Sequence, residues 1–190
     1  TVKDTLSLHD ALPIWIALIA FAGEPYLVSP LTLNHDWLMQ NLERLRVGLI
    51  RETGTAIGSA VGMSVNRLRN LDDAKSRVMI LLTDGKNTAG QISPVAAAEA
   101  AAAFDTKIYT IAAGSNDRVL VPRMGRDYQI FRNASGEPIA QGYAEFPVDE
   151  ETLQEVAETT NGKFYRATDT DRLKAIYAEI DKLEKTEVEL

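Results

Sequence analysis

An α/β fold, with helices on both faces of a doubly wound, mainly parallel sheet, is what this sequence predicts. Three observations point there. Val78-Met-Ile-Leu-Leu82 is an unbroken apolar run closed by Thr83-Asp84-Gly85, the pattern of a parallel strand buried on both faces. Ile108-Tyr-Thr-Ile-Ala112 repeats that pattern and ends at Ala113-Gly114-Ser115. Around both runs lie segments with apolar residues at helical spacing, and strands alternating with helices imply a parallel sheet.

Taken in order, Ile14-Trp-Ile-Ala-Leu-Ile-Ala-Phe21 begins abruptly as a buried strand. Ala22-Gly23-Glu24-Pro25 turns the chain, and Tyr26-Leu-Val28 makes a short returning edge strand. Asn34 caps a helix with Leu38, Leu42 and Leu45 on one face. His35, at its start, is expected to face solvent or the cap. Val47-Gly-Leu-Ile50 leads into a loop ending at Gly54-Thr55. The next helix carries Ile57, Val61, Val65 and Leu68 as one stripe. Gly54, Gly58 and Gly62 recur every four residues there. Helical glycine costs roughly 1 kcal/mol against alanine, so close packing of this backbone against the sheet is expected to compensate.

After Asp84, Ser93-Pro94 reads as an N-cap and first helical residue, opening an alanine-rich helix to about Phe104. Residues 116–147 form a polar insertion, in which Tyr128-Gln-Ile-Phe131 and Pro138-Ile-Ala140 flank Asn133-Ala-Ser-Gly136 as a hairpin. Asn133-Ala-Ser135 matches a glycosylation acceptor, but a hairpin turn explains it more simply. Asp149 caps a helix with Leu153, Val156, Ala157 and Thr160 inward, stopped by Asn161-Gly162. Lys163-Phe-Tyr-Arg166 is a last short strand. Asp169 or Asp171 then opens a helix with Leu173, Ile176, Tyr177, Ile180 and Leu183 facing inward.

With 190 residues, one domain is the default. A net charge of -7 argues against a nucleic-acid surface. The absence of cysteine removes disulfides, thiolate metal sites and a Cys nucleophile. The longest apolar segment, Ala11 to Gly23, is broken by Pro13 and falls short of the ~20 residues of a spanning helix, so the chain reads as soluble. Ser7, His9 and Asp10 lie too close together to assemble a triad. Glu150 and Glu151 sit in a first helical turn, complementing the dipole rather than forming a glycosidic acid pair. Gly85-Lys86 lacks the glycine spacing of a phosphate loop, and the glycines at 54, 58 and 62 do not make a dinucleotide fingerprint.

What remains is Asp84, at the carboxyl end of a strand, where open α/β sheets bind ligands. Used alone at that switch point, it would belong to a small α/β enzyme or nucleotide-binding protein. That alternative predicts a closed pocket beside Asp84 with a second titratable group. A contact role predicts instead a shallow, exposed acidic edge.

Read together, Ile16-Ala-Leu-Ile-Ala-Phe21, Gly54-Thr55-Ala-Ile-Gly58, Leu81-Leu-Thr-Asp-Gly85 and Ile108-Tyr-Thr-Ile111 resemble a von Willebrand factor A (VWA) domain. More narrowly, the chain is similar to the VWA domain of bacterial BatA-like aerotolerance proteins. That likeness rests on Leu27-Val-Ser-Pro-Leu-Thr32, Val47-Gly-Leu-Ile50, Asp149-Glu-Glu-Thr-Leu153, Gly162-Lys-Phe-Tyr-Arg-Ala167 and Leu183-Glu-Lys-Thr186, and it covers about residues 14–190. The resemblance implies a Rossmann-like fold and a non-enzymatic protein–protein interaction module, anchored in a bacterial cell membrane by helices before and after the domain. It also implies a metal-ion-dependent adhesion site (MIDAS). There Mg²⁺ is held by Asp-x-Ser-x-Ser on the first strand, a second-loop Thr and a third-loop Asp, and a partner's carboxylate supplies a further ligand. By motif, Thr55 and Asp84 are the second-loop and third-loop ligands. The implied partners are other proteins, membrane or envelope complex components, with no nucleic acid and no small-molecule substrate. The insertion at 116–147 offers a second contact surface.

The first-loop motif has no counterpart upstream of Ile14; Asp4-Thr-Leu-Ser7 has the wrong spacing. Residues 1–13 are therefore expected to be a non-native or disordered segment, making the chain N-terminally truncated or chimeric. Leu6-Ser-Leu-His-Asp-Ala-Leu-Pro-Ile14 resembles translated sequencing-adapter read-through. Residues 14–187 would be an incomplete VWA domain, and 188–190 a tail leading toward a transmembrane segment. In the family the first strand lies between those matching Ile16–Phe21 and Val78–Leu82. Its loss or replacement predicts a slot between two apolar strand edges, which Thr5–Leu12 suits poorly in register and polarity. One hydroxyl and one carboxylate are too few to strip water from Mg²⁺, so tight binding by this chain is not expected.

Overall fold

The computed structural model describes residues 14–46, 48–71, 74–114, 119–123, 125, 130–144 and 148–188. The expectations for residues 1–13 lie outside that set. Three sheets and five helices are described. Strand β1 (Ile16–Phe21) turns back antiparallel into β2 (Pro25–Thr32), longer than the three-residue return expected. Helices α1 (His35–Glu43) and α2 (Ile57–Leu68) follow. Next come β3 (Arg77–Thr83), α3 (Pro94–Ala102) and β4 (Thr106–Ala113). A two-stranded ribbon, β5 (Val119–Pro122) with β6 (Ala140–Ala144), precedes α4 (Glu150–Thr159), β7 (Phe164–Ala167) and α5 (Thr170–Val188). Strands β3, β4 and β7 are parallel neighbours in that order.

The core has two layers. On one face of the parallel sheet, Met79, Leu81, Ile108 and Ala112 pack against Ile57, Val61 and Val65 of α2, the alanines of α3, and Leu153 and Val156 of α4. On the other, Tyr109, Ile111, Tyr165 and Ala167 pack against Ile176 and Ile180 of α5. Helices therefore do cover both faces. Tyr177 and Leu183, expected to face inward, are 41% and 37% exposed, because the buried stripe of α5 is narrower than the apolar one.

Local chemistry explains the helix boundaries. Asn34, Ser93 and Asp149 each accept a backbone N–H three residues on, as N-caps do. Of the two candidates for α5, Asp169 is the cap, accepting from Arg172 N at 2.7 Å. Helix α4 stops at Asn161, whose φ is +56°, with Gly162 N returning to Ala157 O. Glu150 does more than complement a dipole: it pairs with Arg166. His35 faces neither solvent nor cap alone, since its Nε2 lies 3.0 Å from Ile14 O at the entry to β1.

Two expected burials are not realised. Helix α1 buries no residue, and its Trp37, Met39 and Leu42 are exposed. Strand β3 is buried on one face only, Ile80 and Leu82 on the other being 39% and 38% exposed. The reason lies in the topology. Among the described residues β3 pairs with β4 alone and β1 with β2 alone, so β3 is an edge strand.

Glycine spacing in α2 also has a different cause from the one expected. A Cβ on Gly58 would lie 2.0 Å from Ile92 O, so the close approach is to the segment entering α3, not to the sheet. Gly62 meets only the end of the Ile92 side chain at 3.3 Å. Gly54 stands before the helix in a left-handed turn, φ +111°.

The insertion carries a ribbon that period-two reading missed. Arg123, Phe131 and Ile139 exchange backbone hydrogen bonds of 2.7–2.9 Å, and Arg132 bridges Pro138. Residues 126–129 lie outside the described set. The Asn133 amide is committed to the turn, accepting from Ser135 N and Glu137 N and donating to Glu137 Oε2.

Helix α5 is fastened by a repeated device. Glu184 accepts from Lys107 Nζ (3.1 Å) and Tyr109 Oη (2.6 Å). Glu179 accepts from Lys163 Nζ (2.6 Å) and Tyr165 Oη (3.0 Å). Each glutamate thus holds a Lys-x-Tyr pair, Lys107 and Tyr109 within β4 and Lys163, just before β7, with Tyr165 in it.

Candidate metal-binding edge

Asp84 follows the last residue of β3, with its side chain exposed at the carboxyl edge of the sheet. Thr55 is brought to it from the loop before α2. The Thr55 Oγ1 lies 3.4 Å from where a Cβ on Gly85 would stand, so the hydroxyl abuts the residue next to Asp84. Backbone bonds fix that approach. Thr55 O accepts from Thr88 N (3.0 Å) and Ala89 N (3.3 Å), and Thr55 N donates to Thr88 Oγ1 (3.0 Å). The same loop reaches β1, where Ala56 N donates to Ala22 O (2.7 Å) and Gly23 N to Glu52 O (2.9 Å).

Asn87 is a site residue that sequence reading missed. The N-cap position of α2 is Ala56, which has no side chain to offer. Asn87 Oδ1 supplies the acceptor from across the edge, taking Ile57 N at 2.8 Å and Gly58 N at 3.4 Å. A capping partner thirty residues away leaves no local signal. Glu24 and Glu52 were also missed. A hydrogen bond to Glu52 and its negative charge hold the Glu24 carboxyl above its ordinary range, both groups being at the surface.

Thr55 and Asp84 by themselves offer too few oxygens for a complete divalent-metal site. Among the described residues no three His, Cys, Asp or Glu side chains come together. Thr55 and Asp84 supply one neutral and one anionic oxygen, against the six that Mg²⁺ surrounds itself with. Two clefts among the described residues lie elsewhere. One, of about 390 Å³, is lined by residues including Phe21, Leu45 and Ile50; the other, of about 190 Å³, by Asp105, Thr106 and Thr160. Asp84 lines neither.

An open parallel sheet with helices on both faces and a polar carboxyl edge defines a Rossmann-like α/β domain. The family model of the von Willebrand factor type A domain matches residues 7–179, and the chain belongs to that family. Two solved bacterial structures are similar to it. The conserved hypothetical protein BatB from Bacteroides thetaiotaomicron is 27% identical with a TM-score of 0.71, over 93% of this chain and 82% of that one. An aerotolerance-related membrane protein from Bacteroides fragilis is 27% identical with a TM-score of 0.67, over 92% and 82%. An uncharacterised protein of Borreliella burgdorferi is 26% identical over 172 residues, which is 90% of this chain but 47% of that relative. The chain thus spans about half the length of that curated relative. These likenesses identify a BatA-like bacterial VWA domain. Domains of this family are in general interaction modules rather than enzymes. No helix among the described residues is long and apolar enough to cross a membrane.

Proposed function

We propose that this domain is the protein-binding module of a membrane-anchored bacterial VWA protein, and that Thr55 and Asp84 are two ligands of its Mg²⁺ site. One observation carries the reading: the Thr55 loop is bonded to the loop that follows Asp84, presenting a hydroxyl and an exposed carboxylate together at the sheet edge. The remaining ligands would come from an Asp-x-Ser-x-Ser segment that these 190 residues do not contain. An acidic side chain of a membrane or envelope partner would complete the coordination. The present chain, holding part of the site, does not bind Mg²⁺ tightly.

Thermal melting with added Mg²⁺ tests the last statement. A site with a Kd of about 10 µM, at about 1 mM Mg²⁺, adds about 2.7 kcal/mol to stability. For a chain of this size that is a Tm rise of roughly 5–10 °C. A partial site with a Kd of about 10 mM adds less than ~0.1 kcal/mol. No measurable shift is expected, and a rise of several degrees would overturn the reading of an incomplete site. For the parent, Asp84→Ala and chelation are each expected to abolish partner capture; capture surviving both would remove the metal-bridged model.

A further inference from the structure

The ribbon between β4 and α4 is the part of the fold that the proposed function leaves unassigned. It stands off the domain. Every residue from 130 to 143 is exposed, and none of them joins either core cluster. The backbone bonds of the ribbon return to itself: β5 pairs with β6, and Arg123, Phe131 and Ile139 bond one another. Among the described residues it packs closely on no other strand or helix. A two-stranded ribbon that buries no face is marginal by itself, so its place on the domain has to be set at its two ends.

Those ends are Gly114, where the chain leaves β4, and Glu150, where it enters α4. Arg166 of β7 is bonded to both. Its Nη1 donates to Glu150 Oε1, and its Nη2 donates to Gly114 O at 3.1 Å. The sheet register explains the reach. Arg166 lies opposite Ala112 in the β4–β7 ladder, and Gly114 N donates to Ala167 O at 3.0 Å. Gly114 has φ +97° and open space where a Cβ would stand, so glycine serves the left-handed turn at which the strand ends. The guanidinium suits this position, because its planar fork of donors holds a carboxylate and a carbonyl at once, whereas a lysine is a point charge. The Arg166 and Glu150 side chains are 23% and 38% exposed, so water screens the pair less than a fully exposed one.

We propose that Arg166 is a latch that sets where the β5–β6 ribbon stands on the domain, by fastening its outgoing end at Gly114 and its returning end at Glu150 to β7. The consequence reaches the candidate site. Thr83 is level with Ala112 in the β3–β4 ladder, so Asp84 follows beside Ala113, one strand spacing of about 4.8 Å away. The root of the ribbon therefore adjoins Asp84 on the same edge, and the latch determines where the ribbon stands relative to anything bound there. The latch itself does not depend on the metal reading.

The chain has no cysteine, so introduced ones carry spin labels at defined places. In the full 190-residue chain, Ser135→Cys with Glu99→Cys spans the ribbon and α3. Glu99→Cys with Lys174→Cys spans α3 and α5 and serves as the core control; all three sites are exposed. Pulsed electron–electron double resonance is expected to give a ribbon distance distribution about as narrow as the control. Arg166→Met is expected to widen the ribbon distribution by about twofold or more and to leave the control unchanged. Glu150→Ala, a change at a partly exposed helix start, is expected to widen it too, and it decides the matter if Arg166→Met fails to fold. A ribbon distribution that stays narrow in every folded variant would overturn the proposal. So would one already broad in the unsubstituted chain. Broadening of the control alongside the ribbon would make Arg166 a brace of the sheet, and would overturn it as well.

Discussion

Gly58 and Gly62 occupy successive turns of the same helix, yet alanine is expected to act oppositely at the two. At Gly58 the new Cβ would stand 2.0 Å from Ile92 O and 2.7 Å from the carbonyl carbons of Ile92 and Ser93. Ordinary contact begins near 3.4 Å, so α2 and the segment entering α3 must part by roughly 1.4 Å. Overpacking of this kind costs about 1–3 kcal/mol, and the helix-propensity gain, at most about 1 kcal/mol, is smaller near a helix start. With roughly 0.5 kcal/mol of that gain realised, Gly58→Ala is expected to destabilise by about 0.5–2.5 kcal/mol net, roughly 1–10 °C in Tm for this chain length. At Gly62 the one close neighbour among the described residues is Ile92 Cδ1 at 3.3 Å, the tip of a side chain that can turn away. Gly62→Ala is therefore expected to stabilise by about 0.5–1 kcal/mol. Urea unfolding of both variants, with unchanged m-values, is the measurement. Equal signs, or a neutral Gly58→Ala, would show that the close approach of α2 to residues 92–93 is not what retains glycine there.

Three further outcomes are expected. Asn87→Ala should cost about 1–2 kcal/mol and speed exchange of the Ile57 and Gly58 amides, whereas Asn87→Asp should keep most of the stability, because only the acceptor oxygen is used. Removal of the Glu52 charge reads out the acidic pair at the same edge. Glu24 has its folded-state pKa raised, so its contribution is present at low pH and is lost as pH rises through that value. Glu52→Gln should accordingly raise Tm at pH 7 and cease to do so well below the ordinary glutamate value of 4.5; an equal shift at both would contradict the pairing. Added Mg²⁺ should leave the melting of this chain unchanged, as derived above.

Much of the fold was legible because its signals are local. The caps Asn34, Ser93 and Asp149 lie beside the helices they start, and the stripe Ile57, Val61, Val65 is visible at once. The errors share a different origin. An apolar run such as Val78–Leu82 states what a strand prefers to bury but not how many neighbours it has, and among the described residues β3 pairs with β4 alone, Ile80 and Leu82 being exposed. The alternate glycines of α2 announced a close approach without naming Ile92 as the partner. At the candidate site, Thr55 and Asp84 came from family motif rather than spacing. Asn87 and the Glu24–Glu52 pair were invisible because each acts across a gap in sequence. The pairing of β5 with β6 was hidden for the same reason, its strands being separated by the Asn133 turn and too short to alternate clearly.

The two glutamates of α5 carry a mechanical consequence. Glu179 and Glu184 stand five residues apart, about 7.5 Å along the helix axis, and each is keyed to a different Lys-x-Tyr pair, one in β4 and one at the start of β7. A slide of one turn, about 5.4 Å, would pull both carboxylates from all four donors at once. Rotation would do the same, and would also lift Ile176 and Ile180 out of the sheet. The helix is indexed to the sheet at two teeth, so it has one seating and no intermediate stops.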